Sequence, residues 1–194
     1  VSRLPPIIGI TGKAGVGKDT LAMYLASKQG YTRRAFADPI KELLNKLYGW
    51  KMEDWDDREW KERKSIPVTR RDGTVIYLSP RQLAQWLGTE VGRNTFGEDC
   101  WIRVMERYYY HHLDVEITSP GLVIPDVRFD NEAKWIQSLG GRIIRVSRPS
   151  AAPVEAHISE AGIDDIYVNF FLVNGGSIMS MYHAVDHYLE NMHG

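Results

Sequence analysis

The segment Gly12-Lys-Ala-Gly-Val-Gly-Lys-Asp-Thr20 follows an apolar run containing Ile7-Ile-Gly-Ile10 and precedes LAMYLASK at residues 21–28. Gly12, Gly17 and Lys18 satisfy G-x-x-x-x-G-K, and a strand before the loop with a helix after it is the context in which that spacing makes a phosphate-binding loop. Glycines let backbone N–H groups turn inward around anionic oxygens, the helix start adds partial positive charge, and the lysine adds a full one. A glycine-rich turn with a surface lysine explains neither the spacing nor the context. The position after the lysine, where a hydroxyl is usual, holds Asp19, with Thr20 following. A carboxylate is a hard oxygen ligand for magnesium, directly or through one of its waters. An aspartate also suits a helix cap, so Asp19 carries both readings.

Outward from the loop, the chain reads as alternating strands and helices. Strands are expected at 6–11, 32–36, 121–125, 142–147 and 167–173, and helices at about 19–28, 131–139 and 177–192, the last after the turn Asn174-Gly175-Gly176. Asp38 is the expected N-cap of a helix opened by Ala37-Asp-Pro39, with Ile40, Leu43, Leu44 and Leu47 as its apolar face. Residues 51–64, KMEDWDDREWKERK, read as a helical cover, and 66–78 as a hairpin turning at Asp72-Gly73. Ser79-Pro80 starts a further helix, followed by another over about 99–112. The pattern implies an α/β fold of three layers, a mostly parallel central sheet with helices on both faces, and ligands at the carboxyl ends of strands. A single domain over 1–194 is expected, with an insertion or cover at about 50–112 and a lid-like loop at about 149–165.

Composition narrows the function. The 194 residues are 43% hydrophobic, enough for one well-buried domain, and 24 basic residues balance 25 acidic ones for a net charge of −1. That balance gives no electrostatic case for coating nucleic acid or an anionic membrane and favours a small ligand. The one cysteine, Cys100, reads as a buried apolar residue, and neither a signal peptide nor an apolar run of about 18 residues is found, so a reducing, cytoplasmic setting is expected.

A phosphate loop does not by itself define the acceptor. An alcohol acceptor calls for a carboxylate base, for which Asp19 or Asp126 is available; a phosphate acceptor is already anionic and calls for cations that hold like charges together. Arg58, Arg81, Arg93 and Arg128 stand near expected strand ends and helix starts, and arginine's planar fork grips phosphate at two points. Arg128 follows Asp126 by two residues at a buried strand's end, where the two could also simply pair. A non-enzymatic reading is a nucleotide-controlled interaction module docking through residues 50–64.

The loop GKAGVGKDT, the helix start FADPIKELLNKLYGW, PRQLAQWLGTEVGRNTFGEDCWIRVM, the strand exit VIPDVRFDNEA with GGRIIRVSRP after it, and AHISEAGIDD occur in this order over nearly the whole chain. Together they resemble bacteriophage deoxynucleoside monophosphate kinases, whose pattern includes the same GKD. The resemblance implies a P-loop kinase fold, ATP and Mg²⁺ as cofactors, and transfer of the γ-phosphoryl group to a deoxynucleoside 5′-monophosphate in nucleotide supply for phage DNA synthesis. It implies that Ala14, Gly15, Val16, Gly17, Lys18, Asp19 and Thr20 wrap the ATP phosphates, with Arg148 on the ATP side and Asp19 at the metal. Lys13, Ile40, Lys41, Arg58, Arg81, Gly88 and Trp101 are then expected around the acceptor. Asp126, Arg128 and Glu132 would read it from the sheet side, with His157 and Ser159 near it. Lys18, Arg81 and Arg128 are the implied catalytic residues, and a homodimer is compatible with the family. Trp101 reads equally as a core residue, since one tryptophan at helical spacing usually packs.

Overall fold

The structure is a computed structural model that describes residues 4–115, 118–149 and 162–192. In chain order its strands are β1 (Ile7–Thr11), β2 (Thr32–Arg33), β3 (Ile66–Thr69), β4 (Val75–Leu78), β5 (Leu122–Ile124), β6 (Arg142–Ser147) and β7 (Phe170–Val173). The α-helices are α1 (Lys18–Gln29), α2 (Asp38–Tyr48), α3 (Arg58–Glu62), α4 (Pro80–Trp86), α5 (Asn94–Phe96), α6 (Cys100–Val115), α7 (Asp130–Ser138) and α8 (Ile178–Glu190). They form two compact units, Val1–Phe36 with Ile102–Gly194, and Ala37–Trp101.

The first unit is a parallel sheet in the order β2-β5-β1-β6-β7. All five residues of β1 are buried, which a strand achieves only when both sheet faces are covered. Side chains alternate across a strand. Ile8 and Ile10 accordingly pack with Leu21 and Leu25 of α1 and Val185 and Leu189 of α8, while Gly9 turns the other way, toward α7. A Cβ on Gly9 would lie 2.8 Å from Ile136 Cδ1, so the glycine lets α7 come close. The Tyr24 hydroxyl donates to Asp186 Oδ2 at 2.6 Å, joining α1 to α8, and Tyr31 donates to Pro5 O at 2.8 Å.

Local departures from the sequence reading have identifiable causes. The strand expected at 32–36 ends at Arg33: Arg34 N still donates to Val123 O, but Phe36 N donates to the Asp126 carboxylate and leaves the ladder. The strand expected from 167 starts at Phe170, because Asp164 accepts from Ile166 N and caps a 3₁₀ turn at Asp165–Tyr167. Asp38 is not the cap of α2; it lies buried inside the first turn, and Ala37 occupies the cap position. Cys100 is partly exposed rather than buried.

In the second unit the expected helical cover is a 3₁₀ turn, Met52–Asp56, and the short α3. Its tryptophans face inward. Trp50, Trp55 and Trp60 meet edge to face with ring centroids 5.0 to 5.9 Å apart, and Trp55 packs with Ile40, Leu44, Ile66 and Leu83. Charge density hid this core, because the charged residues at these turns project outward while the indoles supply nearly all the apolar area. The antiparallel β3–β4 hairpin turns at Asp72-Gly73, where Asp72 Oδ1 accepts from the backbone and hydroxyl of Thr74. α4 has its capping box, Ser79 with Gln82, and then widens into a π-helical stretch at Leu87–Arg93. Trp101 Nε1 donates to Gly88 O at 2.7 Å, and a Cβ on Gly92 would fall 2.6 Å from the indole, so the glycines of that stretch seat the ring. Among the described residues no helix is long and apolar enough to cross a membrane.

Two measurements check these supports. Trp55→Ala is expected to destabilise the protein by about 3–5 kcal/mol in urea denaturation, the usual cost of deleting a buried aromatic. Hydrogen bonding to Asp186 pushes the Tyr24 phenol up to about 12 from 10.0, and burial raises Tyr31. Both favour the neutral phenol in the folded state, so their contribution is complete below the unfolded value of 10.0 and is lost as pH rises above it, for Tyr24 through about 12 and for Tyr31 at still higher pH. Stability is therefore expected to fall between denaturation curves at about pH 9 and about pH 11, less steeply in Tyr31→Phe.

Candidate active site

The loop after β1 is shaped by glycines at positive φ. Gly12, Gly15 and Gly17 have φ of 137°, 77° and 105°, and a Cβ on Gly12 would fall 2.2 Å from Val146 O. Four of its carbonyls are held by donors. Lys18 Nζ donates to Gly12 O at 2.7 Å and Lys13 O at 2.8 Å, Asn174 Nδ2 to Val16 O at 2.9 Å, and Leu21 N to Gly17 O at 3.0 Å. A loop whose carbonyls are engaged in this way presents N–H groups to an anion, at the positive end of α1.

The ends of β1, β6 and β7 bring this loop beside Arg148 and the Asn174-Gly175-Gly176 turn. A cavity of about 410 Å³ is lined by Gly15, Gly17, Lys18, Asp19, Thr20, Arg148, Asn174, Gly176, Ile178 and Met181. Val16, expected in the cradle, sends its side chain into the core and contributes only backbone. Asn174, Gly176, Ile178 and Met181 were not singled out from the sequence. The signal was available, since this turn follows a parallel strand, where α/β sheets bind ligands.

Asp19 does not cap α1: Gly17 holds the cap position, with no side-chain cap bond. The carboxylate is 79% exposed and pairs with Arg33 Nη2 at 3.0 Å, a surface pair that orients more than it stabilises. Among the described residues no group of three or more His, Cys, Asp or Glu side chains is arranged for a metal. Magnesium needs none, because it takes one or two protein oxygens and completes its shell with phosphate and water. Asp19 and Thr20, hard oxygen donors on the cavity wall, fit that role.

The residues expected around the acceptor fall in separate groups. At the exit of β5, Asp126 Oδ1 accepts from Phe36 N at 2.8 Å. Glu132, only 3% exposed, accepts through Oε2 from Arg128 N at 2.8 Å and Phe129 N at 3.1 Å, so its carboxylate closes the first turn of α7. In the second unit Ile40, Gly88 and Trp101 pack together: a Cβ on Gly88 would lie 2.9 Å from Ile40 Cδ1. Lys41 Nζ stands 5.7 Å from the Trp55 ring centroid, and Arg81 pairs with Glu62 at 2.7 Å. Arg58 is exposed at the start of α3, and Lys13 is exposed on the loop. His157, Ser159 and most of the expected lid lie outside the described residues.

A parallel sheet whose central strand runs into a glycine loop, with a lysine at the start of the following helix, defines a P-loop α/β protein. The fold is similar over 98% of this chain, with TM-score 0.53 and 21% identity, to the crystal structure of TT1252 from Thermus thermophilus, of which it covers 100%. A family profile described as deoxynucleotide monophosphate kinase matches residues 69–185. A protein of Acanthamoeba polyphaga mimivirus provisionally named as a deoxynucleotide monophosphate kinase is 31% identical, over 95% of this chain and 96% of its own length. The deoxynucleoside-5′-monophosphate kinase of Escherichia phage T5 is 25% identical, over 87% and 89%. The chain belongs to the deoxynucleotide monophosphate kinase family, and it is an enzyme of that kind.

The carboxylate of Glu132 has a measurable structural share. Glu132→Ala leaves two backbone donors without their acceptor and is expected to cost about 1–3 kcal/mol in urea denaturation. Glu132→Gln keeps an acceptor oxygen and is expected to recover much of that loss.

Proposed function

We propose that the loop holds the β- and γ-phosphates of ATP and that the γ-phosphoryl group passes to a deoxynucleoside 5′-monophosphate, giving the diphosphate and supplying viral DNA synthesis. The observation that carries the donor half is one cavity walled by the loop, Lys18 and Arg148 in a chain of this family. Lys18 neutralises the transferring group, and Arg148 faces the donor. Asp19 and Thr20 would hold Mg²⁺, which supplies further positive charge to the phosphate oxygens when bound with the nucleotide.

For the acceptor, Arg58, Arg81 and Arg128 supply the cations that an anionic nucleophile requires, with Lys13 and Lys41 adding charge. Arg81 then exchanges Glu62 for phosphate. Ile40, Gly88 and Trp101 form the apolar border, and Asp126 contributes polar contact. Glu132 acts by fixing the backbone at Arg128. No general base is needed, because the attacking oxygen is already anionic. The inward packing of Trp55 withdraws that indole from any docking face at residues 50–64.

The test is ADP release across a panel of natural and modified deoxynucleoside monophosphates. Release dependent on at least one of them is expected; none with any of them overturns the proposal. Lys18→Ala is expected to lower kcat/KM at least about 100-fold, near 2.7 kcal/mol in the barrier. Asp19→Ser, which restores a hydroxyl, is expected to stay within about tenfold of the parent, and a larger loss removes Asp19 from the proposed metal shell.

A further inference from the structure

We propose that Asn174 is a positioning residue for the phosphate loop, its carboxamide holding the Val16 carbonyl away from bound phosphate. The inference rests on the donor-site reading above and extends it to a residue outside the loop.

A backbone that cradles an anion must direct its N–H groups inward, and every carbonyl left facing the anion would repel it. The loop solves this in two halves. Lys18 Nζ engages Gly12 O and Lys13 O on the entering side. On the exit side Val16 O is engaged from 158 positions away in sequence, by Asn174 Nδ2 at 2.9 Å. Only the nitrogen of the carboxamide can donate, so the contact specifies which way the amide points.

Asn174 is itself fixed. Its backbone N donates to Ser147 O at 2.7 Å at the end of the β6–β7 ladder, and α8 follows, capped by Ser177 through Ser180 N. The loop is cut to receive it: a Cβ on Gly17 would lie 2.8 Å from Asn174 Nδ2. Gly17 therefore answers two demands, the positive φ of the turn and the approach of this amide. Asn174 also lines the cavity, so it links the β7–α8 turn to the phosphate end.

The probe is inorganic tripolyphosphate, measured by calorimetry beside ATP, on the whole chain and on Asn174→Asp and Asn174→Ala. The aspartate is nearly isosteric but lacks the donor and adds negative charge; the alanine removes the carboxamide without adding charge. Affinity for tripolyphosphate and for ATP is expected to fall by a similar factor, roughly tenfold for alanine and more for aspartate. KM for ATP should rise while KM for the monophosphate stays near the parent value. Unchanged tripolyphosphate affinity in both variants overturns the role of Asn174 alone. A loss that only tracks a smaller folded fraction by circular dichroism also overturns it. Failure of the parent protein to bind tripolyphosphate overturns the loop's reading as a polyphosphate cradle, and the role of Asn174 with it.

Discussion

The glycine loop is anchored at the point where β1 leaves the sheet, and a backbone that is to cradle an anion must be stiff and have carbonyls occupied elsewhere. β1 is paired with β5 and β6 and buried on both faces, so the point where the chain leaves the sheet is held from every side. At that point Gly12 comes so close to Val146 O that no side chain fits. α1 then begins at Lys18, at the loop's far end, and the ammonium of this first helical residue ties back the first carbonyls of the loop. Such anchoring would spare the reorganisation that a flexible loop undergoes on meeting an anion.

The second unit shows a different economy. It seats one buried indole, Trp55, among the buried aliphatic side chains Ile40, Leu44, Ile66 and Leu83 and borders them with Trp50 and Trp60, and Trp55 Nε1 donates to Asn45 Oδ1 at 2.9 Å. Edge-to-face indoles give large buried area with few rotatable bonds, which suits a small unit made of short helices and one hairpin. The π-helical stretch after α4 belongs to the same packing, since widening the helix at Gly88 and Gly92 makes the seat for Trp101.

The two carboxylates at the exit of β5 show how a motif can mix duties. Asp126 draws the chain out of β2, and Glu132 starts α7 and pins the N–H of Arg128. Neither role is visible in PDVRFDNE as a string, because each partner is a backbone group whose nearness depends on where the strand stops. Asp19 is the converse case: its place in the motif was plain, but the guanidinium beside it comes from Arg33, fourteen residues on.

What could be read from the letters was everything carried by local rules. The glycine spacing, the strand before it and the helix after it marked the loop, the alternation of apolar runs with helical periods marked a parallel α/β sheet, and Asp72-Gly73 and Ser79-Pro80 marked a hairpin and a helix start. These depend on φ preferences, side-chain period and capping, which act within a few residues. Strand lengths, the inward turn of the tryptophans, the Asp19–Arg33 pair and the grip of Asn174 on Val16 depended instead on the assembled fold. Each is a contact between segments distant in the chain, and the letters carry no record of which distant donor will reach a given acceptor until the sheet order has set them side by side.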